Sequence, residues 1–350
     1  MSFVVDCGFL AEIQKMQEDV WVDPIQAIDK IPNVGIISTV MTNQDVNFAE
    51  LNDKAKNRVI NVEWQTACNL ETKDCGDDCD INGDDLTPEC KTYEIECLQE
   101  VSFKMPIRAY REKTIDFQKA MAINMLYAKK RLADWLDQYT LAGLLANAGV
   151  NQFTGGVGTV VAGTTYIPAS YWDDNIWGYM AQVTEYNQFN SPYLLTGDNL
   201  FQKIWNKGIA GETRPFDWLR PVADPRAFNT LGINDQSILV HKTAAAFLNK
   251  AWNPVGSVNA EQRAGQYWEW SEPLTFTGQE TRGVTGLTNV FVDVTMKEEC
   301  INNEFYQAVK LKLWGLFALN PQPCDKDNTG IIVFECGSGV GTVVAGTTGV

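Results

Sequence analysis

The chain of 350 residues carries 44 Asp and Glu against 28 Lys and Arg, a formal net charge of −16, with one His and nine Cys. At 45% hydrophobic and 21% charged it has a globular composition, and a chain this long buries about 75% of its unfolded surface in one large domain or two modest ones. A pI near 4.5 disfavours a nucleic-acid reader, which announces itself by a basic patch or a pI above about 9.

No run approaches the roughly 18–20 apolar residues of a membrane span, so no membrane role is expected. The start, MSFVVDCGFL, holds Asp6 and no Lys before Lys15, so it lacks the basic region of a signal peptide, and folding in a cytoplasm is expected. Nine Cys are too few for a disulfide scaffold of this length, yet Cys68, Cys75, Cys79, Cys90 and Cys97 fall within thirty residues.

In chain order, the first clear pattern is a period of two. Ile60, Val62, Trp64, Thr66, Cys68 and Leu70 alternate with smaller or polar neighbours, and Tyr93, Ile95, Cys97, Val101, Phe103 and Met105 do the same until Pro106 ends the run. Two arms of about thirteen residues predict a hairpin roughly 40 Å long. A hairpin of that length is marginal alone in water, so its expected cover is another chain.

After Pro106 the period becomes 3.6. Met121, Met125, Ala128, Leu132, Trp135, Tyr139 and Ala142 or Gly143 form one stripe, which predicts an amphipathic helix from about 115 to 147, near 50 Å long. Asn147 to Gly149 supply its C-cap chemistry.

Residues 170–299 read as mixed α/β. Ser191–Leu195 predicts a strand leading to a helix near 199–205, and Ser237–Val240 a strand leading to a helix near 243–250. Val290–Met296 and Phe305–Leu319 predict strands separated by a polar turn over 298–303, and Ile331–Glu335 a last short strand. The decapeptide GVGTVVAGTT occurs twice, at 156–165 and at 339–348, either as a Gly/Thr-rich loop and tail or as two small strands in equivalent or paired positions.

Catalytic patterns are missing. G-x-G-x-x-G, G-x4-G-K-[ST], G-x-S-x-G and HExxH do not occur, and His241, the only His, excludes a two-His metal site. It ends the apolar run ILV and reads as a helix-start or interface residue, so no enzyme is expected. One spacing matches a cation loop. Asp78, Asp80, Asn82, Asp84 and Glu89, with Gly83 at the sharp turn, place oxygens at loop positions 1, 3, 5, 7 and 12 around one Ca²⁺. Strands rather than helices flank it, and with eight acids against two bases from Glu71 to Lys91 it equally reads as a solvated hairpin tip. The spacing C-x6-C-x3-C-x10-C-x6-C is not that of a zinc ribbon; it places Cys68 and Cys97 on opposite arms and Cys75, Cys79 and Cys90 in the tip, as free thiols or as disulfide staples.

The order of elements resembles the tailed-phage major capsid proteins of the HK97 fold, an α+β fold with an N-terminal arm, a long E-loop hairpin, a spine helix, and peripheral and axial domains. The resemblance covers nearly the whole chain. Segment by segment it makes 1–57 the arm, 58–107 the E-loop with an acidic Cys-rich tip, 108–190 the peripheral domain with the spine helix, 191–299 the axial domain, 300–336 the returning strands and 337–350 a Gly/Thr-rich tail. It implies a homo-oligomer of hexamers and pentamers, an icosahedral shell around double-stranded DNA, met by portal, scaffolding or decoration proteins, assembled in host cytoplasm and carried in the virion. Lys73 and Lys91 lie near the tip, but no partner Asn is identified, so no crosslink is carried over. An encapsulin-like compartment shell is the alternative, with a secreted Ca²⁺-binding adhesion protein behind it.

Overall fold

The computed structural model describes residues 35–43, 58–64, 89–110, 117–151, 153, 157–172, 176–189, 192–197, 220–242, 244–263, 267–280, 283–319 and 329–337. The fold is α+β. In chain order its elements are α1 (Ile36–Asn43), β1 (Val59–Trp64), β2 (Glu89–Glu94), β3 (Glu96–Pro106), α2 (Phe117–Ala146), β4 (Thr159–Val161), β5 (Thr164–Ile167), α3 (Ala169–Trp172), α4 (Ile176–Tyr186) and β6 (Tyr193–Thr196). There follow β7 (Arg220–Ala223), α5 (Pro225–Thr230), β8 (Gln236–Val240), β9 (Ala245–Asn249), β10 (Glu261–Arg263), β11 (Tyr267–Glu280), β12 (Gly283–Ile301), β13 (Glu304–Leu319) and β14 (Ile331–Cys336).

The chain divides into two compact units. Of the described residues, one takes those within 35–140 and 245–319 and the other those within 141–244 and 329–337. The boundary falls at Ala244/Ala245, after which the strands pair into the first unit's sheet.

The first unit is built on the six-stranded sheet β10-β11-β12-β13-β3, with β9 also on β13. From Val309 to Gly315 strand β13 alternates: Val309, Leu311 and Leu313 are buried, while Lys310 and Lys312 stand on the other face. Its turn from β12 is two residues, Asn302 and Asn303, both at positive φ (50° and 63°), the geometry that matches the right-handed twist of a hairpin and that Asn tolerates. Strand β11 carries Pro273 opposite Phe291 of β12; the ring's missing N–H is accommodated because β10 covers only Tyr267 to Glu269 on the other side. Neither β11 nor the full length of β12 was expected, although Trp268, Trp270 and Leu274 alternate visibly.

Two expectations fail here for related reasons. The Ala-rich segment near 243–250, expected as a helix, is strand β9, antiparallel to β13 from Ala245 opposite Leu319 to Asn249 opposite Gly315. Ala245, Ala246, Phe247 and Leu248 are all buried, so pairing and burial override alanine's helix preference. The second arm of the expected hairpin breaks at Ile95, and Glu96–Pro106 pairs with β13 instead. Strands β3 and β9 thus both reach Gly315, which pairs with Glu96 on one side and with Asn249 on the other. A Cβ there would lie 2.8 Å from Phe247 Cζ and 3.0 Å from Leu248 O, so only glycine fits.

Helix α2, 30 residues and about 45 Å long, buries Met121, Met125, Ala128, Leu132 and Leu136. Past Leu132 the buried stripe passes through Ala133, Leu136, Asp137 and Thr140 rather than through Trp135 and Tyr139, which are half-buried and stack on each other at 4.9 Å. Asp137 is only 2% exposed because its Oδ1 accepts the Ile37 backbone N–H at 3.1 Å, capping the start of α1 where that helix's free donors and positive dipole end lie. Lys129 pairs with Glu272 of β11, whose other carboxylate oxygen accepts the Trp270 indole N–H at 2.8 Å.

The second unit holds a mixed sheet in the order β4-β5-β14-β8-β6-β7. Strands β6, β8 and β14 are apolar almost throughout, as strands covered on both faces are, and Trp177, Met180 and Val183 of α4 pack with Leu194, Leu239, Ile332 and Phe334. His241 follows β8 directly, its N–H donating to Gly330 O at 2.7 Å and its ring lying edge-on to Phe189 at 5.5 Å. The helix it was expected to start does not exist.

Replacing Asp137 by Ala lowers the unfolding free energy by about 1–2 kcal/mol, with amide exchange accelerated selectively in Ile36–Val40; urea unfolding and hydrogen exchange measure the two effects. Gly315→Ala costs about 1–3 kcal/mol in the same unfolding assay, as overpacking at a strand junction does, whereas Gly178→Ala, with open space at its Cβ, leaves the midpoint unchanged or raised.

Candidate functional site

The hairpin β1–β2 is antiparallel from Val59 opposite Glu94 to Trp64 opposite Glu89, six pairs spanning about 20 Å. It forms a two-stranded sheet of its own. The expected arms of about thirteen residues are therefore half paired within the described residues. Residues 65–88 lie outside them.

The base of the hairpin is held by apolar packing and by cations on indole faces. Ile60 and Ile95 are buried with Ala246 and Leu248, and Tyr93, Trp252, Trp314 and Leu316 pack against them. Burial of an isoleucine side chain contributes about 1.5–3 kcal/mol. The Ile95 N–H donates to Arg58 O at 2.7 Å and Tyr93 Oη to Leu319 O at 3.4 Å. Trp252 and Trp314 meet edge to face at 6.1 Å. The Arg58 guanidinium lies 4.5 Å from the Trp314 ring and 5.8 Å from Trp252, and Lys250 Nζ lies 4.5 Å from Trp252. Such contacts contribute about 0.5–1 kcal/mol each at exposed positions. Arg58 adopts φ 62°, an unusual value for a residue with a Cβ, which turns the chain sharply into β1.

The sequence candidates fall as follows. Asp78, Asp80, Asn82, Asp84, Cys68, Cys75 and Cys79 lie outside the described residues. Glu89 opens β2 opposite Trp64, and Cys90 follows opposite Glu63. Cys97 is corrected: it is not on an arm facing Cys68 but in β3, opposite Trp314, because the chain leaves the hairpin at Ile95. Its thiol is free and accessible, and partial burial pushes its pKa up against the pull of Lys312 and Arg58, so it stays protonated near neutrality. Among the described residues no three His, Cys, Asp or Glu side chains converge on a metal position.

A second feature was not anticipated. The polar face of the first unit's sheet carries Lys104, Lys297, Lys310 and Lys312 among Glu100, Glu269 and Glu299, lining an open depression of about 480 Å³. The alternation of β3, β12 and β13 contained this signal, but only the strand register shows that the lysines share one face. Lys104 Nζ bonds Glu299 Oε2 at 2.6 Å and Lys297 bonds its other oxygen, which holds the Glu299 carboxyl down at about 2. The opposite behaviour occurs at Asp293. Burial raises its pKa although the Ser271 hydroxyl and the Trp252 N–H donate to it.

No family model and no curated protein matches the sequence. Among solved structures the chain is similar to one from Mycobacterium phage Che8, at 12% identity and a TM-score of 0.47, over 86% of this chain and 90% of that one. It is similar to the capsid of Myoviridae phage XM1, at 8% identity and a TM-score of 0.43, over 87% and 93%. The cyanophage A-1(L) capsid gives 12% identity and a TM-score of 0.45, over 80% and 88%.

Because Glu299 is solvated and its pKa is lowered, its contribution to stability is complete above its ordinary value of 4.5 and is lost as the pH falls toward 2. In Lys104→Met the Glu299 titration midpoint, read by carboxyl NMR, moves up toward 4.5, and added salt moves the wild-type midpoint in the same direction.

Proposed function

We propose that the chain is a major capsid protein, the repeating subunit of a phage shell. The observation that carries this reading is the β1–β2 hairpin. It pairs with no other described strand, is anchored at its base, and leads into an acidic segment of 24 residues, 65–88. A two-stranded hairpin is marginal in water by itself, so a neighbouring subunit is its natural cover. The long helix α2 and the long strands β11 to β13 supply a stiff frame over which such neighbours can be arranged.

The finer assignments belong to the same reading. Hexamers and pentamers close an icosahedral shell around double-stranded DNA. A net charge of −16 keeps the subunit from gripping DNA tightly, and the four sheet lysines are the nearest candidates for loose phosphate contact. Asp78, Asp80, Asn82, Asp84 and Glu89 are the proposed Ca²⁺ ligands and Cys68, Cys75, Cys79 and Cys90 the proposed staples. Portal, scaffolding and decoration proteins complete the particle, which is assembled in host cytoplasm.

Electron microscopy of the purified protein tests the reading. Closed shells, tubes or sheets of hexamers are expected, and a stable monomer or small oligomer under all conditions overturns it. Replacing residues 65–88 by a short Asn-Gly turn joins Trp64 to Glu89, which already face each other, so this variant keeps the wild-type thermal midpoint but forms no shells. Shells that enclose protein and no nucleic acid redirect the reading to a compartment.

A further inference from the structure

The repeated decapeptide acquires a structural meaning from its first copy. Residues 159–161 and 164–167 are the strands β4 and β5, joined by Ala162 and Gly163 at φ 50° and 83°. Strand β5 lies parallel to β14, from Thr164 opposite Val333 to Ile167 opposite Cys336, and β4 forms the edge of the sheet.

Three features of this fit depend on particular residues. A Cβ at Gly158 would lie 2.5 Å from Tyr179 Oη and 2.9 Å from Thr165 Cγ2, so only glycine passes beneath that tyrosine. Gly163 occupies a backbone region that side chains rarely adopt. Thr165 is fully buried. The second copy places Gly341, Gly346 and Thr348 at the same three positions.

The path of the chain also permits the second copy to reach this place. Strand β4 begins beside the end of β14, since Thr159 faces Tyr166 and Tyr166 faces Glu335. That start is two strand spacings from Cys336, about 10 Å, and the five residues 337–341 span up to about 17 Å. Residues 339–348 lie outside the described residues; taking this position, they would follow the directions of β4 and β5 without reversal.

We propose that residues 339–348 are a second occupant of the β4–β5 position, exchanging with residues 156–165 within the same chain. Exchange between identical elements costs little. The first copy is preferred in the structure because it continues into Tyr166 and the fully buried Ile167, where the second continues into Gly349 and Val350. When the second copy takes the position, the connection between α2 and α3 is released from the sheet. The inference rests on the fold alone and stands whether or not the chain forms shells.

A paired set of variants in the full chain tests it by hydrogen exchange and thermal melting. In Gly158→Val the valine collides with Tyr179; protection is expected to leave residues 159–166 and to rise roughly tenfold or more over 342–348. Gly341→Val alone behaves as wild type, and Gly158→Val with Gly341→Val protects neither segment and melts below either single variant. Unprotected 342–348 in Gly158→Val, or equal melting of that variant and the double variant, overturns the proposal. If Gly158→Val does not fold, Gly163→Val is compared with Gly163→Val plus Gly346→Val, which strains the turn rather than the packing. Failure of Gly163→Val to fold with the second copy intact also overturns it.

Discussion

The first unit depends on one strand. β13 pairs along one side with β3 and along the other with β12 and β9 in series, so three distant stretches of sequence are aligned by a single strand. Its burial pattern orients them all: because side chains alternate, fixing Val309, Leu311 and Leu313 inward fixes the face of every paired residue. Gly315 is flanked by the start of β3 on one side and the end of β9 on the other, and the hairpin base packs beside it through Trp314 and Leu316.

From that ladder follow the two faces on which the proposed assembly rests. The inner face carries Trp270, Leu274, Val292, Val294 and Met296, all buried. The outer face collects lysines and glutamates that neutralise one another locally in an otherwise strongly acidic chain. Exposed pairs of this kind contribute little to stability, so their chemical interest lies in orientation and in response to salt and pH. The anchor at Arg58, Trp252 and Trp314 differs in kind: it joins apolar burial to cation contacts and fixes where the separate β1–β2 hairpin is rooted beside the sheet, which a projecting hairpin requires.

Much of this was legible along the chain. The helix expected near 115–147 runs Phe117–Ala146, and the strands near 193, 237, 305 and 331 fall within a few residues of their expected places, because each has an unambiguous period and clear punctuation. Nothing in the neighbours of Asp137 along the chain reveals that it caps α1, a hundred residues earlier. The stripe of α2 was drawn through Trp135 and Tyr139, since large aromatics suggest a core, while the helix buries the face through Leu136 and Asp137. Among the site residues, Glu89 and Cys90 are expected in the tip but open strand β2, and Cys97, expected on the hairpin arm, lies in β3.

By itself the sequence determined local periods, turns and charge: where several strands and the long helix run, that a polar turn falls within 298–303, that the tip is acidic, and that ten residues are repeated. Only the tertiary structure decided partners. Alternation states which side chains share a face but not which strand lies alongside, so Glu96–Pro106 reads equally well as a hairpin arm or as a neighbour of β13. Ala245–Asn249 has helix-forming composition and becomes a strand because the exposed ladder of β13 beyond Gly315 offers backbone hydrogen bonds and burial together, which a short isolated helix cannot match.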